Sequence, residues 1–388
     1  MHVSTSPSET PRTSRITMSI LDSGREALND FALMRGGGDE MATTDSEGPS
    51  HIIFGTVVRA APIERGGELI LLDWEKKSIE GRVPMRPRDP TIGEDPDPRG
   101  NARGCRGIRW DGDQFYAATY HTVEVYDRDL TRTGALNGGL MVGLHELALT
   151  ESATIWVTST AIDAVLEYDL ETGNCLQSFW PREMSSVQEA LAIEPLEIDK
   201  SADNRLAFLS PSPGDSESHL HINAVEPVGD RVYALSNDYG CILELTTEDV
   251  VLRDEGLEDA HNLLISEDGL VTVNDTFGRT VRFYDLERGT KEGAIDLTRY
   301  TWVRQLMRWK TPAYWGKEVA KKLGLIDDSV ARPLFVRGLV RFGDMLFIGV
   351  SPAAILQVNW KTGELVDAYQ YSDDVFVCVH GLDVVEMS

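Results

Sequence analysis

Apolar residues alternate with polar ones in short segments along most of the chain, and turn residues separate the segments. This alternation predicts β-strands with one face in a core. Six of the strands open with a polar residue that precedes the apolar run. These openings are Arg106-Gly-Ile, His145-Glu-Leu, Asn223-Ala-Val, His261-Asn-Leu, Arg337-Gly-Leu and His380-Gly-Leu. In at least four of them an Asp follows seven positions later, at a turn into a second strand: Asp113, Asp230, Asp268 and Asp344.

The spacing of the openings predicts a repeated unit. Successive openings lie 39, 78, 38, 76 and 43 residues apart, so each long interval equals one unit plus an insertion of similar size. A period of about 40 residues is typical of a four-stranded propeller blade. The last opening lies only eight residues before the end of the sequence, while residues 52–85 supply three strands without an inner strand. Pairing of the N-terminal and C-terminal strands would complete one blade and close a six-bladed, all-β propeller.

The chain outside the strands falls into a tail and two long insertions. Residues 1–50 are rich in Ser, Thr, Gly and Pro, which predicts a disordered tail. Residues 51–388 are predicted to form one propeller domain. Its insertions, 180–220 and 298–336, are expected on the upper face, defined as the face where the inner strands start.

The second insertion, 298–336, differs in composition from the rest of the chain. It carries eight basic residues against three acidic ones, with aromatic residues between them, and is predicted to form a short helical lid. One interpretation is a helix that packs its aromatic residues against the propeller rim. The other is a cap in which Trp302 and Trp309 contact an anionic or aromatic ligand, or a surface for a partner protein.

The overall charge excludes some classes of partner. The chain has 63 acidic and 37 basic residues and a formal charge of −26, which opposes binding to nucleic acid. No apolar run is as long as a membrane span, and the first residues lack the pattern of a secretory signal. The four Cys show no CxxC spacing. We therefore expect a cytoplasmic protein without a membrane or nucleic-acid partner, and the sequence does not fix its oligomeric state.

The polar openings predict a ring of side chains around the propeller axis, which we call the axial ring. In blade order it reads His380, Arg106, His145, Asn223, His261 and Arg337. Histidine occupies every second blade, so the imidazoles of His145, His261 and His380 are expected to converge. Three neutral imidazoles can bind one divalent transition metal and leave coordination positions open.

The other members of the axial ring suggest a substrate. Arg106 and Arg337 flank His380, and their planar guanidinium groups suit a carboxylate, sulfate or phosphate. Together with Asn223 they are predicted to orient a small anionic substrate. An alternative is structural, because polar residues around a wet channel are often solvated or bonded to carbonyl groups of neighbouring blades.

Three further residues are candidates for acid or base catalysis. His221 and Asp259 lie two positions before members of the axial ring and are expected on the same side of their strands. Each is a candidate ligand, hydrogen-bond partner or general base. His121, in an upper loop, is a candidate proton carrier, whereas His219 is assigned to a connection between strands.

Two functions remain open at this point. The first is an enzyme, with or without a metal, that hydrolyses, eliminates from or rearranges a small anionic metabolite at the axial ring. The second is a non-catalytic binding module or scaffold that holds a protein or a small ligand with its upper face, lid and tail.

Several strand openings carry a family resemblance. The segments HELAL (145–149), HINAV (221–225) and RGLVRFGDMLFIGVS (337–351) resemble an uncharacterised family of six-bladed propellers with HEL, HxNG and RGL blade openings. The likeness covers roughly residues 100–386. It implies the same six-bladed fold, with Ala224 standing where the family pattern has Gly.

The layout is more distantly similar to the gluconolactonase and strictosidine-synthase-like propellers. That resemblance implies a metal or acid/base site at the axis, beneath the loops of the upper face. The acidic and amide ligands of the calcium-dependent lactonases are mostly replaced here by His and Arg. The replacement argues against calcium and against lactone hydrolysis.

Overall fold

The structure is a computed structural model that describes residues 49–88, 102–207, 218–307, 315–316, 319–320, 323 and 334–386. The predicted tail lies outside these residues except for its last two positions, and Trp309 also lies outside them. Within the described residues, 24 strands form six antiparallel sheets of four strands each.

The strands follow one another from the axis outwards in each sheet. The N-terminal strands are β1 (His51–Val58), β2 (Glu68–Asp73) and β3 (Ser78–Pro84). The next two sheets are β4 (Ile108–Trp110), β5 (Phe115–Ala118), β6 (Thr122–Tyr126) and β7 (Arg132–Asn137), then β8 (Leu144–Leu149), β9 (Thr154–Ser159), β10 (Ala164–Asp169) and β11 (Cys175–Phe179).

The second half of the chain repeats the pattern. Its sheets are β12 (Ile222–Val228), β13 (Arg231–Ser236), β14 (Cys241–Glu244) and β15 (Asp249–Arg253), then β16 (Ala260–Ile265), β17 (Leu270–Asp275), β18 (Thr280–Asp285) and β19 (Thr290–Asp296). The last complete sheet is β20 (Val336–Phe342), β21 (Met345–Val350), β22 (Ala354–Asn359) and β23 (Glu364–Gln370), and the final strand is β24 (Val377–Val385).

The final strand closes the ring. β24 pairs antiparallel with β1 and becomes the inner strand of the sheet β24-β1-β2-β3. The inner strands β24, β4, β8, β12, β16 and β20 contact one another in that order, and β20 returns to β24. The prediction of a six-bladed propeller closed by its terminal strands is confirmed.

The core lies between adjacent blades. Tyr116 and Val123 of the second blade pack in one buried cluster with Leu144 and Ile155 of the third. Full burial of each such aliphatic side chain stabilises the fold by about 1.5 to 3 kcal/mol. The stacked blades thus form a rigid scaffold for the loops and the inner strands.

Both insertions contain a helix in their described parts. The first holds α1 (Ser185–Leu191) and the second holds α2 (Thr301–Met307). α2 packs Val303 and Met307 into the cluster that joins the fifth and sixth blades. Of the helix that the sequence predicts over 315–323, the structure describes residues 315–316, 319–320 and 323. None of the described helices has the length and hydrophobicity of a membrane-spanning segment.

Candidate functional site at the propeller axis

β-Bulges direct the polar openings towards the axis. The pairing of inner strands with their neighbours shifts by one residue at five of the openings, in β8, β12, β16, β20 and β24. A bulge places two residues opposite one and re-aims their side chains. Consecutive residues such as His145 and Glu146 therefore both reach the channel. Glu146 accepts a hydrogen bond across it from Asn262 Nδ2, 2.5 Å away on a blade that is not its neighbour.

The glycines of the openings allow the inner strands to approach one another. A Cβ atom on Gly381 would lie 1.6 Å from the carbonyl oxygen of Arg106, and one on Gly107 would lie 2.8 Å from Glu146 Cα. Any larger residue would force these strands apart. Close packing of the inner strands therefore explains the glycine in the Arg-Gly and His-Gly openings. It does not explain the polar residue before the glycine, which stays a candidate site residue.

The structure brings the three predicted imidazoles together. His145, His261 and His380 are each 4% exposed or less. One ring nitrogen of each lies within 4.8 Å of the others. The ring centroids of His145 lie 5.2 Å from His261 and 4.6 Å from His380. The three rings are therefore a candidate group for holding one ion, and metal binding itself stays a prediction.

Hydrogen bonds fix the tautomer of His261. The Thr276 hydroxyl donates to the carbonyl oxygen of Val336 at 3.0 Å, so it accepts from His261 Nδ1 at 2.8 Å. The carbonyl oxygen of Asp259 also faces Nδ1 at 3.0 Å. The proton therefore resides on Nδ1, and Nε2 carries a lone pair. Nε2 is buried without a hydrogen-bond partner in the described part of the chain, which is costly unless a ligand occupies it.

The environment keeps the three imidazoles neutral. Burial is the main cause that lowers the pKa of each well below the usual range of histidine. Electrostatic coupling adds to this effect: for His145 to the neighbouring imidazole of His380 and the guanidinium of Arg106, and for the other two to the guanidinium of Arg337. A neutral imidazole is the form that binds a metal.

Guanidinium groups make the site cationic. Arg337 Nη1 donates to His380 Nε2 at 2.9 Å, while Arg337 Nε is buried without a partner among the described residues. Burial, followed by the charges of Arg59 and Arg106, lowers the pKa of Arg337. The guanidinium carbons of Arg59 and Arg337 lie 4.9 and 5.1 Å from the ring centre of Phe335.

Arg59 was missed by sequence reasoning. It follows β1 directly, and its backbone nitrogen donates to the carbonyl oxygen of Phe376, just before β24. The signal was present, because antiparallel pairing of the terminal strands places the end of β1 beside the start of β24.

The remaining predicted site residues occupy different surroundings. Asn223 is fully buried and donates to the carbonyl oxygen of Ala260 on the next blade at 3.2 Å, a structural contact. His121 is buried in the turn between β5 and β6. Trp302 packs against the cluster between the fifth and sixth blades. The predicted roles of these residues in catalysis and substrate binding stay predictions.

His221 and Asp259 share an unusual backbone conformation. Both have positive φ, 53° and 60°, two positions before a member of the axial ring. Gly104 and Gly143 hold the equivalent positions of two other blades, with φ of 67° and 63°. A non-glycine residue in this region costs about 1 kcal/mol or more, and His and Asp tolerate it better than most. Two blades therefore keep a polar side chain here although this backbone conformation lowers the stability of the fold.

A second set of polar residues lies further along the inner strands, and we call it the lower layer. It consists of Arg109, Glu146, Glu226, Asn262 and Asp383. Arg109 Nη1 lies 3.4 Å from Glu146 Oε1, and Asp383 Oδ2 accepts from the backbone nitrogen of Trp110 at 2.9 Å. Burial raises the pKa of Glu226 to about 8. This layer was also missed, because strict alternation places Glu146 and Asn262 inside the blades.

Comparison with known proteins supports the fold and does not assign a family. No family model matches the chain. A segment of 104 residues is 27% identical to the testis-specific glyceraldehyde-3-phosphate dehydrogenase of Bos taurus and covers 26% of each protein, so the chain spans about a quarter of the length of that relative. A solved structure of a protein of unknown function from Bacteroides caccae is similar over 88% of this chain and 100% of its own, with a TM-score of 0.54 and 8% identity. At this identity the similarity extends to the propeller fold alone.

Proposed function

We propose that the axial ring is the active site of an enzyme that acts on a small anionic metabolite with the help of a divalent transition metal. His145, His261 and His380 would hold the metal, and Arg106 and Arg337 would orient the anion. The observation that carries the proposal is the buried, unpartnered lone pair of His261 Nε2 within a cluster of three neutral imidazoles. The distant resemblance to gluconolactonase-like propellers agrees with an axial site.

The charges of the site predict that metal and anion bind together. Three neutral imidazoles contribute no negative charge, and the guanidinium groups of Arg59, Arg106 and Arg337 repel a bare dication. An anion between them removes that repulsion. Arg337 also has to release His380 Nε2 before this nitrogen can become a ligand. An anion that attracts Arg337 removes the repulsion and also releases His380 Nε2. Bound anion should therefore raise the affinity for the metal, and bound metal should raise the affinity for the anion.

The reaction would be hydrolysis, elimination or rearrangement. A metal at this position would polarise a substrate oxygen or lower the pKa of a bound water molecule. Arg337 would hold the anionic group, while His221 and Asp259, at the upper end of the channel, are the nearest candidates to accept a proton. Burial of the imidazoles would exclude bulk water from the reacting atoms.

Metal content of the full chain, purified without a histidine tag, tests the proposal. Elemental analysis after loading with Zn²⁺ should find one ion fewer in His261→Ala than in the wild type. His121→Ala is the matched control, because His121 is a buried histidine in the turn between β5 and β6 and belongs to none of the clusters of potential metal ligands in the described residues. Equal metal content in the wild type and His261→Ala would refute the metal site.

An exposed apolar stripe favours the alternative of a binding module. Trp315, Val319 and Leu323 are 60%, 56% and 67% exposed, and their spacing places them on one face of a helix. Leu323 N donates to the carbonyl oxygen of Val319 at 3.1 Å, as in a helical turn. The binding-module alternative is supported if the protein binds neither metal nor anion and associates in sedimentation experiments. The substitution Leu323→Ser should then abolish that association.

A further inference from the structure

A second group of side chains that could hold a metal ion lies at the upper end of the channel, and we call it the mouth cluster. It consists of His219, His221 and Asp238, whose ligand atoms all lie within 4.8 Å of one another. The two histidines precede β12, and Asp238 lies in the turn between β13 and β14. His221 Nδ1 is 3.4 Å from Asp238 Oδ1, and His219 Nδ1 is 3.9 Å from Asp238 Oδ2.

The tautomer of His219 leaves a lone pair that faces a carboxylate. His219 Nε2 lies 2.9 Å from the carbonyl oxygen of Thr160 and 3.3 Å from Asp163 Oδ1. Both neighbours accept hydrogen bonds, so Nε2 carries the proton and Nδ1 of the neutral ring carries the lone pair. A lone pair opposite a carboxylate is unfavourable unless a cation lies between them. Metal-binding histidines commonly donate their other N–H to a carbonyl or carboxylate in this way.

Asp163 holds the two histidines in place. Its buried carboxylate accepts from the backbone nitrogens of Leu220 at 3.0 Å and His221 at 2.9 Å, and Arg182 Nη1 lies 3.7 Å away. These bonds fix the segment on which both imidazoles stand, including the positive φ of His221. A site built on a fixed segment loses little entropy when it binds an ion.

We propose that the mouth cluster is a second divalent-metal site, formed by two imidazoles and one carboxylate. This ligand set suits Fe²⁺, Mn²⁺, Co²⁺ or Zn²⁺. The side chains of His221 and Asp238 are 37% and 43% exposed, so an ion there would keep positions open to solvent. Asp238 and Asp163 outweigh Arg182 in charge, so this site needs no anion to accept a dication, in contrast to the axial ring.

The two sites adjoin each other. The ring centroids of His145 and His221 lie 6.4 Å apart, and His219 lies 5.2 Å from His221 on the far side. A substrate held by the axial ring would therefore extend towards the mouth cluster. The second site stands on its own geometry and does not require that the axial ring binds a metal.

Titration of the untagged full chain with Co²⁺, followed by visible absorption, tests the proposal. Asp238→Asn should remove one absorbing ion, or weaken its binding at least about tenfold. Asp230→Asn is the matched control, since Asp230 is an exposed carboxylate on the same blade. His221→Gln provides a second variant that should show the same loss if Asp238→Asn lowers the thermal stability.

The combined variants separate this site from the axial ring. Loss of an ion in Asp238→Asn with no change in His261→Ala would support the mouth cluster and contradict the axial metal. Loss of an ion in His261→Ala with no change in Asp238→Asn would support the axial metal and contradict the mouth cluster. Equal Co²⁺ binding by the wild type, Asp238→Asn and His221→Gln would overturn the second site.

Discussion

The axial ring and the lower layer occupy the same inner strands but differ in how their polar groups are satisfied. In the lower layer Glu146 accepts from Asn262 and from the backbone nitrogen of Leu147, and Asp383 accepts from two backbone nitrogens. In the axial ring the nitrogens His261 Nε2 and Arg337 Nε are buried without partners in the described part of the chain. Because unpaired buried groups are costly, they persist where a ligand uses them. The contrast supports a structural role for the lower layer and the proposal that the ring is the site.

The lower layer joins the third blade to the fifth, which is not its neighbour in the ring. Asn262 Oδ1 accepts from Gly338 N at 2.7 Å and from Asn274 Nδ2 at 3.2 Å, while its Nδ2 donates to Glu146. The third, fifth and sixth blades are thus joined through one amide. Such a network stabilises the fold only while all its members remain, since each deletion leaves buried partners unsatisfied.

Removal of the central carboxylate should give the largest effect on stability. Glu146→Ala leaves Arg109 and Asn262 without their shared partner, which should lower the free energy of unfolding by about 3 kcal/mol. His261→Ala, the matched variant in the ring, removes an unpaired nitrogen and should cost about 1 kcal/mol or less. Urea denaturation of both variants measures the difference. Equal losses would show that the ring is as structural as the lower layer.

Substitution of a ring arginine should separate the binding of anion and metal. Arg337→Gln removes a charge that attracts the anion and repels the metal, so phosphate affinity should fall by about 10- to 100-fold. Affinity for Zn²⁺ alone should rise, because His380 Nε2 is released. Calorimetric titration with each ligand tests this, with the exposed Arg288→Gln as the control. A parallel loss of both affinities would contradict the competition between Arg337 and the metal for His380.

The repeat, the closure of the propeller and the axial ring could be predicted from the sequence. The contacts that distinguish the axial ring from the lower layer could not. Polar openings at a fixed register located His145, His261 and His380 because each blade repeats one backbone path. Glu146 and Asn262 escaped detection, since bulges break the alternation that assigns side chains to faces. The mouth cluster depends on Asp238, which a separate turn brings to His219, so no local pattern connects them.

The lower layer should also give the protein a pH dependence opposite in sign to that of the ring, whose lowered imidazole pKa values reduce stability as the pH falls below 6.5. The pKa of Glu226 rises from its ordinary value of 4.5 to about 8 on folding, mainly through burial, so the folded state holds an extra proton between these values. The contribution of the protonated Glu226 carboxyl group to the free energy of unfolding is fully present below about pH 4.5. This contribution is lost as the pH rises through 8. Solvent reaches part of the Glu226 side chain and screens its charge, so the loss should be about 1 kcal/mol, well below the roughly 5 kcal/mol that the whole shift would give in a fully shielded group. Thermal melting of Glu226→Gln from pH 5 to about 9 should show a flatter profile than the wild type, with Glu287→Gln, an exposed carboxylate, as the control. An unchanged profile in Glu226→Gln would mean that this carboxyl group titrates in water, and the lower layer would then be open to solvent from below.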